Sequence, residues 1–564
     1  MAKTKDKISK AELTKAGDLR EAYDYVICGA GSAGATLAGR LTEDPDVSVL
    51  LVEAGGTHDS PFITIPFLTV GNIAGSSRNW GYETVPQPGL NGRQGYQPRG
   101  KCLGGSSSIN AMVYIRGNAY DYDNWAEMGN DGWAYEDVLP YFRKAENREA
   151  GADAYHGEGG PLNVAPVNSP ASINDNFIAA ANSLQIRTNP DFNGERQDGV
   201  GMYEVTQKDG ERWNTARAYL DPVRARPNLD VITHATVERV RVEDGRAVGV
   251  DLRVKKKSYS VGARDEVILA GGAFGSPQML LLSGIGPKEK LEPHGIAQVH
   301  DLPGVGENLH DHIDYCLLYK TDHLDAMGMS PKGALTVARE ARKWRKSRGT
   351  GGPRGMMSTN YAESGGFLYT DAAEPAPDVQ LHFVRAGVDD HGRKMRLGHG
   401  FSLHVCILRP KSRGSLALAS ADPTDAPLID PNFFGETDDF ERLVAAVKQG
   451  QEIMRAPAMD AIRGEALYAS DTEDDAELRE DIRNRADTVY HPVGTCKMGP
   501  DSDPMAVVDG RLRVRGIAGL RVVDASVMPQ VVSGNTNAPT VMIAEKAADM
   551  IKDDRADRLR AAAE

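Results

Sequence analysis

The sequence predicts an α/β protein that combines a Rossmann-like domain, discontinuous along the chain, with an α+β domain built on an antiparallel sheet. A strand–helix–strand unit with a glycine-rich turn occupies residues 25–53, and further apolar, strand-like runs recur at 266–272 and 520–524. Between these runs, residues 378–433 alternate apolar and polar side chains, which is typical of antiparallel strands with one solvent-exposed face. The first observations predict the Rossmann-like domain, and the alternation predicts the antiparallel sheet.

The strand–helix–strand unit carries a nucleotide-binding pattern. An apolar strand, a helix and a second apolar strand follow one another at residues 25–28, 35–41 and 47–52. Gly29 permits a tight turn, Gly31 lets the backbone approach a pyrophosphate, and Gly34 allows close packing of helix on strand. The helix N-terminus offers unpaired N–H groups to phosphates, while Glu53 can bind a ribose hydroxyl and would repel a 2′-phosphate. The unit therefore predicts a dinucleotide site that prefers FAD or NAD to NADP.

The remaining sequence suggests how the two domains share the chain. The Rossmann-like domain is expected from residues 21–160, 215–320 and 480–564, and the substrate-binding domain from residues 161–214 and 321–479. Apolar spacing predicts helices near 330–350 and 440–454, and glycines predict a mobile loop at 348–353. Residues 1–20 are polar and lysine-rich, which predicts a flexible tail.

Composition excludes several classes of function. The 564 residues carry a formal net charge of −14, which argues against nucleic acid as a partner. Five scattered cysteines without a Cys-x-x-Cys pair fit a reducing compartment better than a disulfide framework. The N-terminus lacks the apolar segment of a secretory signal, and no apolar run is long enough to span a membrane. We therefore expect a cytoplasmic protein with at most peripheral contact on the inner face of the cytoplasmic membrane.

Two long motifs follow the nucleotide fingerprint. Residues 100–117 combine adjacent glycines with three consecutive serines, so the backbone can approach a flat ligand while small donors surround it. On physical grounds alone this motif is equally well a helix-capping loop. In the second motif, residues 272–286, Ser276 is a suitable N-cap and Pro277 a suitable first residue for a short apolar helix.

Taken together, the motifs resemble the glucose–methanol–choline (GMC) flavoprotein oxidoreductases. The likeness extends from Asp24 to about Met550 and includes Gly-Val-Gly-Glu-Asn-Leu at 304–309. It implies that the dinucleotide is FAD rather than NAD, a choice that the fingerprint leaves open. Some choline-oxidising relatives bind flavin covalently through a histidine just before the asparagine of the first motif. Ile109 stands at that position here, so we expect non-covalent FAD.

The resemblance assigns the catalytic residues to the C-terminal part of the chain. Residues 489–499 resemble the family's catalytic-histidine segment and residues 534–542 resemble that of its partner, which implies His491 and Asn535. Oxidation of an alcohol requires that the hydroxyl proton leaves while a hydride moves from carbon to flavin N5. A neutral imidazole can take the proton, and an amide can orient the hydroxyl without adding charge. Without the resemblance, a histidine before proline would be interpreted as a turn residue.

The residues expected to hold FAD come from the fingerprint, the first motif and the C-terminal segment. Pro539 is expected to start a helix that runs to about Met550, and its N-terminal end can stabilise negative charge on reduced flavin near N1. The full set is Gly29, Ala30, Gly31, Ser32, Ala33, Gly34, Glu53, Ala54, Trp80, Gly104, Gly105, Ser107, Asn110, Ala111, Met112, Val113, Val237, Asp524, Ala525, Asn535, Asn537, Pro539 and Thr540.

Within the family, the likeness is to bacterial alcohol dehydrogenases of alkane degradation and to choline-dehydrogenase-like members. It implies oxidation of a primary alcohol to the aldehyde, with electrons passed to a quinone or another non-oxygen acceptor. An alcohol oxidase using O₂ and a choline dehydrogenase are the alternatives, and a hydroxynitrile-lyase-like enzyme with non-redox FAD is more remote. The alcohol, the physiological acceptor and the oligomeric state stay open.

A few other side chains are candidates for a role. Glu363 stands where choline oxidases direct a carboxylate at the substrate's cation, but a carboxylate in the apparent loop 361–367 is interpreted as solvated. The histidines lack a third ligand at metal-binding spacing, so no metal site is expected and they are interpreted as structural. These are His310, His312, His382, His391 and His404.

Overall fold

A computed structural model describes residues 13–347, 352–394 and 396–563 of the chain. Residues 1–12 of the predicted tail and most of the predicted loop at 348–353 lie outside the described residues. Residues 13–20, which the sequence assigns to the tail, instead lie against the parallel sheet of the Rossmann-like region. Leu13, Ala16 and Leu19 pack on its core, and the Thr14 amide donates to the Val231 carbonyl at 2.9 Å.

A parallel sheet forms the centre of the Rossmann-like region. Its strands lie side by side in the order Leu229–Ile232, Val49–Val52, Ala22–Cys28, Lys257–Leu269 and Leu520–Val522. The first three strands and the C-terminal half of Lys257–Leu269 are almost wholly buried, as expected when a parallel sheet is covered on both faces. All three sequence segments predicted for this domain therefore contribute neighbouring strands to one sheet, and the predicted α/β class is confirmed.

The longest of these strands also extends the sheet in the other direction. The first half of Lys257–Leu269 pairs antiparallel with Arg246–Val254, which pairs in turn with Ala235–Glu243. Its second half pairs parallel with Ala22–Cys28. One strand thereby joins the nucleotide-binding core to an antiparallel hairpin.

Helices pack on the parallel sheet, and three of them start earlier than predicted. Ser32–Leu41 follows the glycine-rich turn but starts three residues before the predicted residue 35, and it packs against the last helix, Asn537–Ala563. That helix starts two residues before Pro539 and continues well past Met550. The helix Gly272–Leu282 starts four residues before Ser276, and the Ser276 hydroxyl donates to the buried Asp524 carboxylate at 2.6 Å instead of capping a helix.

A second, antiparallel sheet forms the other region. Its strands lie in the order Ala466–Leu467, Ile313–Thr321, Gly398–Ile407, Val379–Val384, Ala362–Leu368 and Gly199–Met202. Gly328–Met329 pairs with the third of these strands, and Asp487–Thr488 pairs with the second. The strands Ile313–Thr321 and Asp487–Thr488 lie in segments that the sequence assigned to the Rossmann-like domain, but they pair here.

The alternation in residues 378–433 produces strands as predicted, but the polar face is not solvent-exposed. Leu381, Phe383 and Leu403 point to one face, where the helices Ile173–Ser183 and Thr437–Arg455 cover them. His382 and His404 point to the opposite face, where they line a cavity against the Rossmann-like region. The expected wet face is therefore buried, because the second region packs over it.

The other elements are peripheral to the two sheets. The predicted helices near 330–350 and 440–454 are present as Pro331–Lys346 and Thr437–Arg455. The further helices are Pro61–Thr64, Thr69–Ile73, Ala119–Glu127, Tyr135–Ala145, Ile173–Ser183, Lys288–Leu291 and Asp475–Arg485. Small ladders pair Tyr82–Glu83 with Tyr96–Gln97, Gln207–Lys208 with Glu211–Arg212, Ser415–Ala417 with Leu428–Asp430, and Leu162–Pro166 with both Glu146–Arg148 and Glu204–Val205.

Candidate active site

A deep cavity runs from the carboxyl ends of the parallel strands to the buried polar face of the antiparallel sheet. Gly29, Glu53 and Asp524 follow parallel strands and line one part of its wall. His382 and His404 project from the antiparallel sheet and line another part, together with His491. In open α/β sheets, ligands bind in the crevice at the carboxyl ends of the strands, so this cavity is the candidate site for cofactor and substrate.

Most of the residues predicted to hold a cofactor lie in the cavity wall, although they come from distant parts of the chain. These are Gly29, Gly31, Ser32, Ala33, Glu53, Ala54, Trp80, Gly105, Asn110, Ala111, Met112, Val113, Val237, Asp524, Ala525, Asn535, Asn537 and Thr540.

Five of the predicted residues lie behind the wall rather than in it: Ala30, Gly34, Gly104, Ser107 and Pro539. They connect the segments that form the wall. The Ala30 amide donates to the Glu53 carboxylate at 3.1 Å, and the Ala30 carbonyl accepts from the Gly104 amide at 2.7 Å. The Ser107 hydroxyl donates to the Gly104 carbonyl at 2.5 Å, and Pro539 is buried in the first turn of the last helix.

The wall has the features that an FAD dinucleotide needs. Gly105 has a φ of +52°, and a Cβ atom built there would lie 2.6 Å from Gly31 Cα, so two backbones form a cradle that side chains would fill. The helices that begin at Ser32 and Asn537 direct their N-termini at the cavity, as suits phosphate or anionic flavin. The Glu53 carboxylate is buried and lines the cavity while accepting from the Ala30 and Gly55 amides. The residues present therefore fit FAD.

His491 is held by its backbone. Tyr490, just before it, has a φ of +79°, a conformation that non-glycine residues adopt where the surroundings impose it. The His491 amide donates to Asp311 Oδ1 at 2.8 Å, and Arg99 donates to the Tyr490 carbonyl at 2.8 Å. Burial raises the pKa of Asp311 to about 6. The Asp311 carboxylate and Arg99 therefore position the turn that presents the imidazole to the cavity.

The two predicted catalytic side chains are in contact. Asn535 Nδ2 lies 3.1 Å from His491 Nε2, and Gln380 donates to Asn535 Oδ1 at 3.0 Å. Because Gln380 occupies the oxygen of the amide, the Asn535 NH₂ group is the one that faces the imidazole. His491 Nε2 therefore accepts a hydrogen bond and carries no proton. Burial lowers the pKa of His491 well below its ordinary value, with a further contribution from the nearby Arg99 charge, so the ring is neutral.

Three of the histidines that the sequence analysis interprets as structural lie at the cavity. His382, His391 and His404 line the cavity. Burial lowers the pKa of His382 to about 3, although a contact with Asn535 favours the charged ring. The signal that could have identified His382 and His404 is their position on the polar side of alternating strands.

His310 keeps a structural role. Its Nδ1 donates to the Asn308 carbonyl at 2.7 Å, and its Nε2 accepts from the Val531 amide at 2.9 Å. His312 instead contacts His491, with the two Nδ1 atoms 3.0 Å apart. Sequence reasoning missed this contact, and it missed the cavity residues Arg99, Tyr361 and Val388, which no motif identifies.

Glu363 is not a solvated loop residue. It lies in the strand Ala362–Leu368, is fully buried, and forms an ion pair with Arg385 at 3.1 Å. The cavity is lined by its neighbours Asn360, Tyr361 and Ala362 and not by Glu363 itself.

Among the described residues, one group of three side chains has metal-ligand spacing, and it lies outside the cavity wall: Asp153, His156 and Asp191. The Arg148 guanidinium lies 3.5 Å from Asp153 and 3.4 Å from Asp191 and already supplies a positive charge there.

Comparison with known proteins agrees with the fold. Family models for the N-terminal and C-terminal parts of GMC oxidoreductases match residues 23–314 and 410–544. The chain is 45% identical over 543 residues to alcohol dehydrogenase (acceptor) of Pseudomonas putida, and the alignment covers 94% of this chain and 95% of that protein. It is 43% identical over 552 residues to mitochondrial choline dehydrogenase of Homo sapiens, with 96% and 92% covered.

Solved structures show the same architecture. Pyridoxine 4-oxidase from Mesorbium loti superposes with a TM-score of 0.84 at 32% identity, over 93% of this chain and 98% of that chain. Formate oxidase superposes with a TM-score of 0.86 at 28% identity, over 96% and 100%. With both family models matched and both relatives aligned over almost their whole length, the chain belongs to the GMC oxidoreductases, a family of FAD flavoproteins.

Proposed function

We propose that this protein is an FAD-dependent dehydrogenase that oxidises a primary alcohol to the aldehyde and passes the electrons to a quinone or another non-oxygen acceptor. The observation that carries the proposal is the contact between the neutral His491 imidazole and the Asn535 amide inside a cavity that fits FAD. The relatives named alcohol dehydrogenase (acceptor) and choline dehydrogenase support the same reaction class.

The two side chains have complementary tasks. An alcohol hydroxyl that binds next to both side chains donates its proton to His491 Nε2, while Asn535 Nδ2 donates to the alcohol oxygen. As the hydroxyl loses its proton, negative charge grows on that oxygen, and a neutral amide donor stabilises it without a permanent charge. Burial keeps His491 unprotonated before substrate binds, so the base is ready at neutral pH. When bound, FAD supplies the acceptor for the hydride that leaves the carbinol carbon.

The cofactor would be held without a covalent bond. Ile109, an apolar residue, occupies the position that carries a flavin-linked histidine in some relatives, and it lines the cavity. Glu53 and the N-terminus of Ser32–Leu41 would hold the ADP half. Asn110, Asn537 and the N-terminus of the last helix would hold the flavin half.

The substrate would be an uncharged alcohol rather than choline. The carboxylates that line the described cavity wall are Glu53 and Asp524, and backbone amides or hydroxyls already bind both. Glu363, the remaining candidate for a cationic substrate, is paired with Arg385 outside the wall. Val70, Ile73 and Val388 give the wall an apolar surface suited to an alkyl chain.

We also infer a cytoplasmic enzyme with peripheral membrane contact through the helix Pro331–Lys346. Its outward side carries the cations Lys332, Arg339, Arg342, Lys343, Arg345 and Lys346 beside Leu335, which is 74% exposed. A basic amphipathic helix of this kind suits an anionic lipid surface, in contrast to the net charge of −14 for the chain. No helix in the described parts of the chain is long and apolar enough to cross a bilayer.

This helix lies next to the cavity. Its Trp344 ring stacks under the Arg354 guanidinium at 4.0 Å, and Glu340 accepts from the Met356 amide at 3.2 Å. The chain then continues into Asn360 and Tyr361 of the cavity wall. A membrane-bound quinone could therefore reach the protein close to its redox site.

Anaerobic titration of the yellow holoenzyme with 1-octanol tests the proposal. We expect bleaching of the visible flavin band, slow recovery in air and fast recovery with a quinone. Fast recovery in air would identify an oxidase instead. Bleaching by choline in preference to octanol would identify a choline dehydrogenase, and no bleaching by either would favour the lyase alternative.

A further inference from the structure

His312 is the partner of the His491 imidazole on the side away from the cavity. The two Nδ1 atoms lie 3.0 Å apart, and the rings are nearly perpendicular, at 87°. On its other side, His312 Nε2 lies 3.1 Å from the Leu408 carbonyl. His312 is fully buried and comes from a segment 179 residues before His491.

The hydrogen bonds assign one proton to each ring. The Leu408 carbonyl can only accept, so His312 carries its proton on Nε2. Burial lowers the pKa of His312 to about 3, although the Leu408 and Val532 carbonyls both favour the charged ring. His312 is therefore neutral, and its Nδ1 atom can only accept. The proton between the two rings then belongs to His491 Nδ1, which leaves His491 Nε2 as a free base.

We propose that His312 is a positioning residue that holds His491 in the tautomer protonated at Nδ1. In this series of hydrogen bonds every group donates toward the Leu408 carbonyl. The Leu408 carbonyl fixes the direction at one end because it can only accept, and Gln380 fixes it at the other end because it orients the Asn535 amide. In serine proteases a carboxylate fixes the tautomer of the catalytic imidazole. Here the neutral His312 imidazole fixes the tautomer of His491, so no negative charge lies next to His491 Nδ1.

This choice of partner has a chemical consequence. A carboxylate would stabilise the protonated form of His491 and raise its pKa, so that the ring would be charged before the alcohol arrives. A neutral acceptor fixes the tautomer without that effect. The titratable and charged side chains near the His491 ring are His312, His382 and Arg99, while Asp311 binds the His491 backbone amide rather than the ring.

Two substitutions separate tautomer control from packing. His312→Gln places an amide that can accept from His491 Nδ1 and donate to the Leu408 carbonyl. His312→Leu fills similar volume but offers neither group. His310→Leu is the matched control, because it removes a buried histidine whose ring binds the Asn308 carbonyl and the Val531 amide and does not touch His491.

The inference rests on the proposed role of His491, so the first readout is the rate of flavin reduction by alcohol across the pH range. We expect His312→Leu to lower the plateau of that rate roughly 10²-fold, within the loss of about 10⁴-fold known for a catalytic histidine in the wrong tautomer. Raising the pH should not restore it, because both tautomers are neutral. His312→Gln should stay within about tenfold of the unsubstituted protein, and His310→Leu should lower stability without this effect.

The second readout does not depend on turnover. Two-bond ¹H–¹⁵N spectra of histidine-labelled holoenzyme should show His491 protonated at Nδ1, and protonation should shift toward Nε2 in His312→Leu. His491 protonated at Nε2 in the unsubstituted protein would overturn the inference, as would equal losses in the Gln and Leu variants or an unchanged plateau in His312→Leu. If His312→Leu does not fold, the inference is tested by the flavin-reduction rate of His312→Gln and by the ¹H–¹⁵N spectrum of the unsubstituted protein. If no alcohol reduces the flavin, the proposed function fails while the spectrum still tests the tautomer.

Discussion

Glu363 and Arg385 form a buried ion pair at 3.1 Å, and this pair turns the Glu363 carboxylate away from the cavity. Its Oε2 atom accepts from the Ala171 amide at 2.7 Å and from Asn174 at 2.8 Å, so both oxygens have partners. A carboxylate that is neutralised in this way is not available to a cationic substrate. The Glu363 carboxylate therefore contributes to the stability of the fold rather than to substrate binding.

We therefore expect Glu363→Gln to lower the free energy of unfolding by about 3–5 kcal/mol, because it leaves the Arg385 charge buried without a counter-ion. The ratio of kcat/KM for octanol to that for choline should not change. Denaturant unfolding and steady-state kinetics measure the two effects. Glu465→Gln removes the partner of Lys320 at an exposed pair and should cost less than about 1 kcal/mol. A changed octanol-to-choline ratio in Glu363→Gln would contradict the assignment.

His491→Ala should retain FAD and lose activity. The imidazole contributes to no described cofactor cradle, whereas loss of a general base costs about 10²–10⁴ in turnover. The visible flavin spectrum measures cofactor content, and stopped-flow reduction by octanol measures the chemical step. An unchanged reduction rate would remove His491 from the mechanism.

The pH dependence of kcat/KM should report the pKa of the buried His491. In the proposed mechanism the neutral form of His491 is the active one, and burial together with nearby charge holds the pKa of His491 well below 6.5. Activity is therefore present above that pKa and is lost as the pH falls through it. We expect a flat profile from neutral pH down to 6.5 and an acid limb with a midpoint below 6.5. A midpoint above 6.5 would mean that the charged form is stabilised in the free enzyme.

Gly105→Ala should abolish cofactor binding. The added methyl group would meet Gly31 Cα at 2.6 Å, and the φ of +52° also disfavours any side chain. The variant should purify without yellow colour, as the ratio of flavin to protein absorbance will show. Gly71→Ala is the control, since its nearest contact would be Phe62 at an ordinary 3.9 Å. Full flavin content in Gly105→Ala would contradict the proposed cradle.

The basic helix predicts binding to anionic vesicles. Each Lys or Arg near such a surface contributes about 1 kcal/mol, so replacing Arg339, Arg342 and Lys346 with serine should weaken binding on the order of 100-fold. Cosedimentation with vesicles of neutral lipid, with and without phosphatidylserine, measures this. Serine at Lys255, Lys256 and Lys257 removes equal charge from an exposed hairpin and should leave binding nearly unchanged. Equal loss in both triple variants would point to net charge rather than to this helix.

The sequence alone determined the parts of the protein that depend on contacts between near neighbours in the chain. The unit from Ala22 to Glu53 folds as predicted because its strand, turn, helix and acid lie within about thirty residues, the span over which βαβ units form. The motifs and the resemblance also led to His491 and Asn535, which the fold brings into contact.

Only the tertiary structure decided what covers each surface. Alternation in Val379–Val384 separates two faces, but it does not say that the polar face meets another region rather than water. For the same reason the local sequence predicts a solvated Glu363 and a structural His312. The partners of these residues come from distant segments, and no local pattern records which distant side chain will lie against a given face. Motifs in the sequence led to His491, the proposed catalytic base, whereas His312, the residue proposed to orient it, is brought to it only by packing.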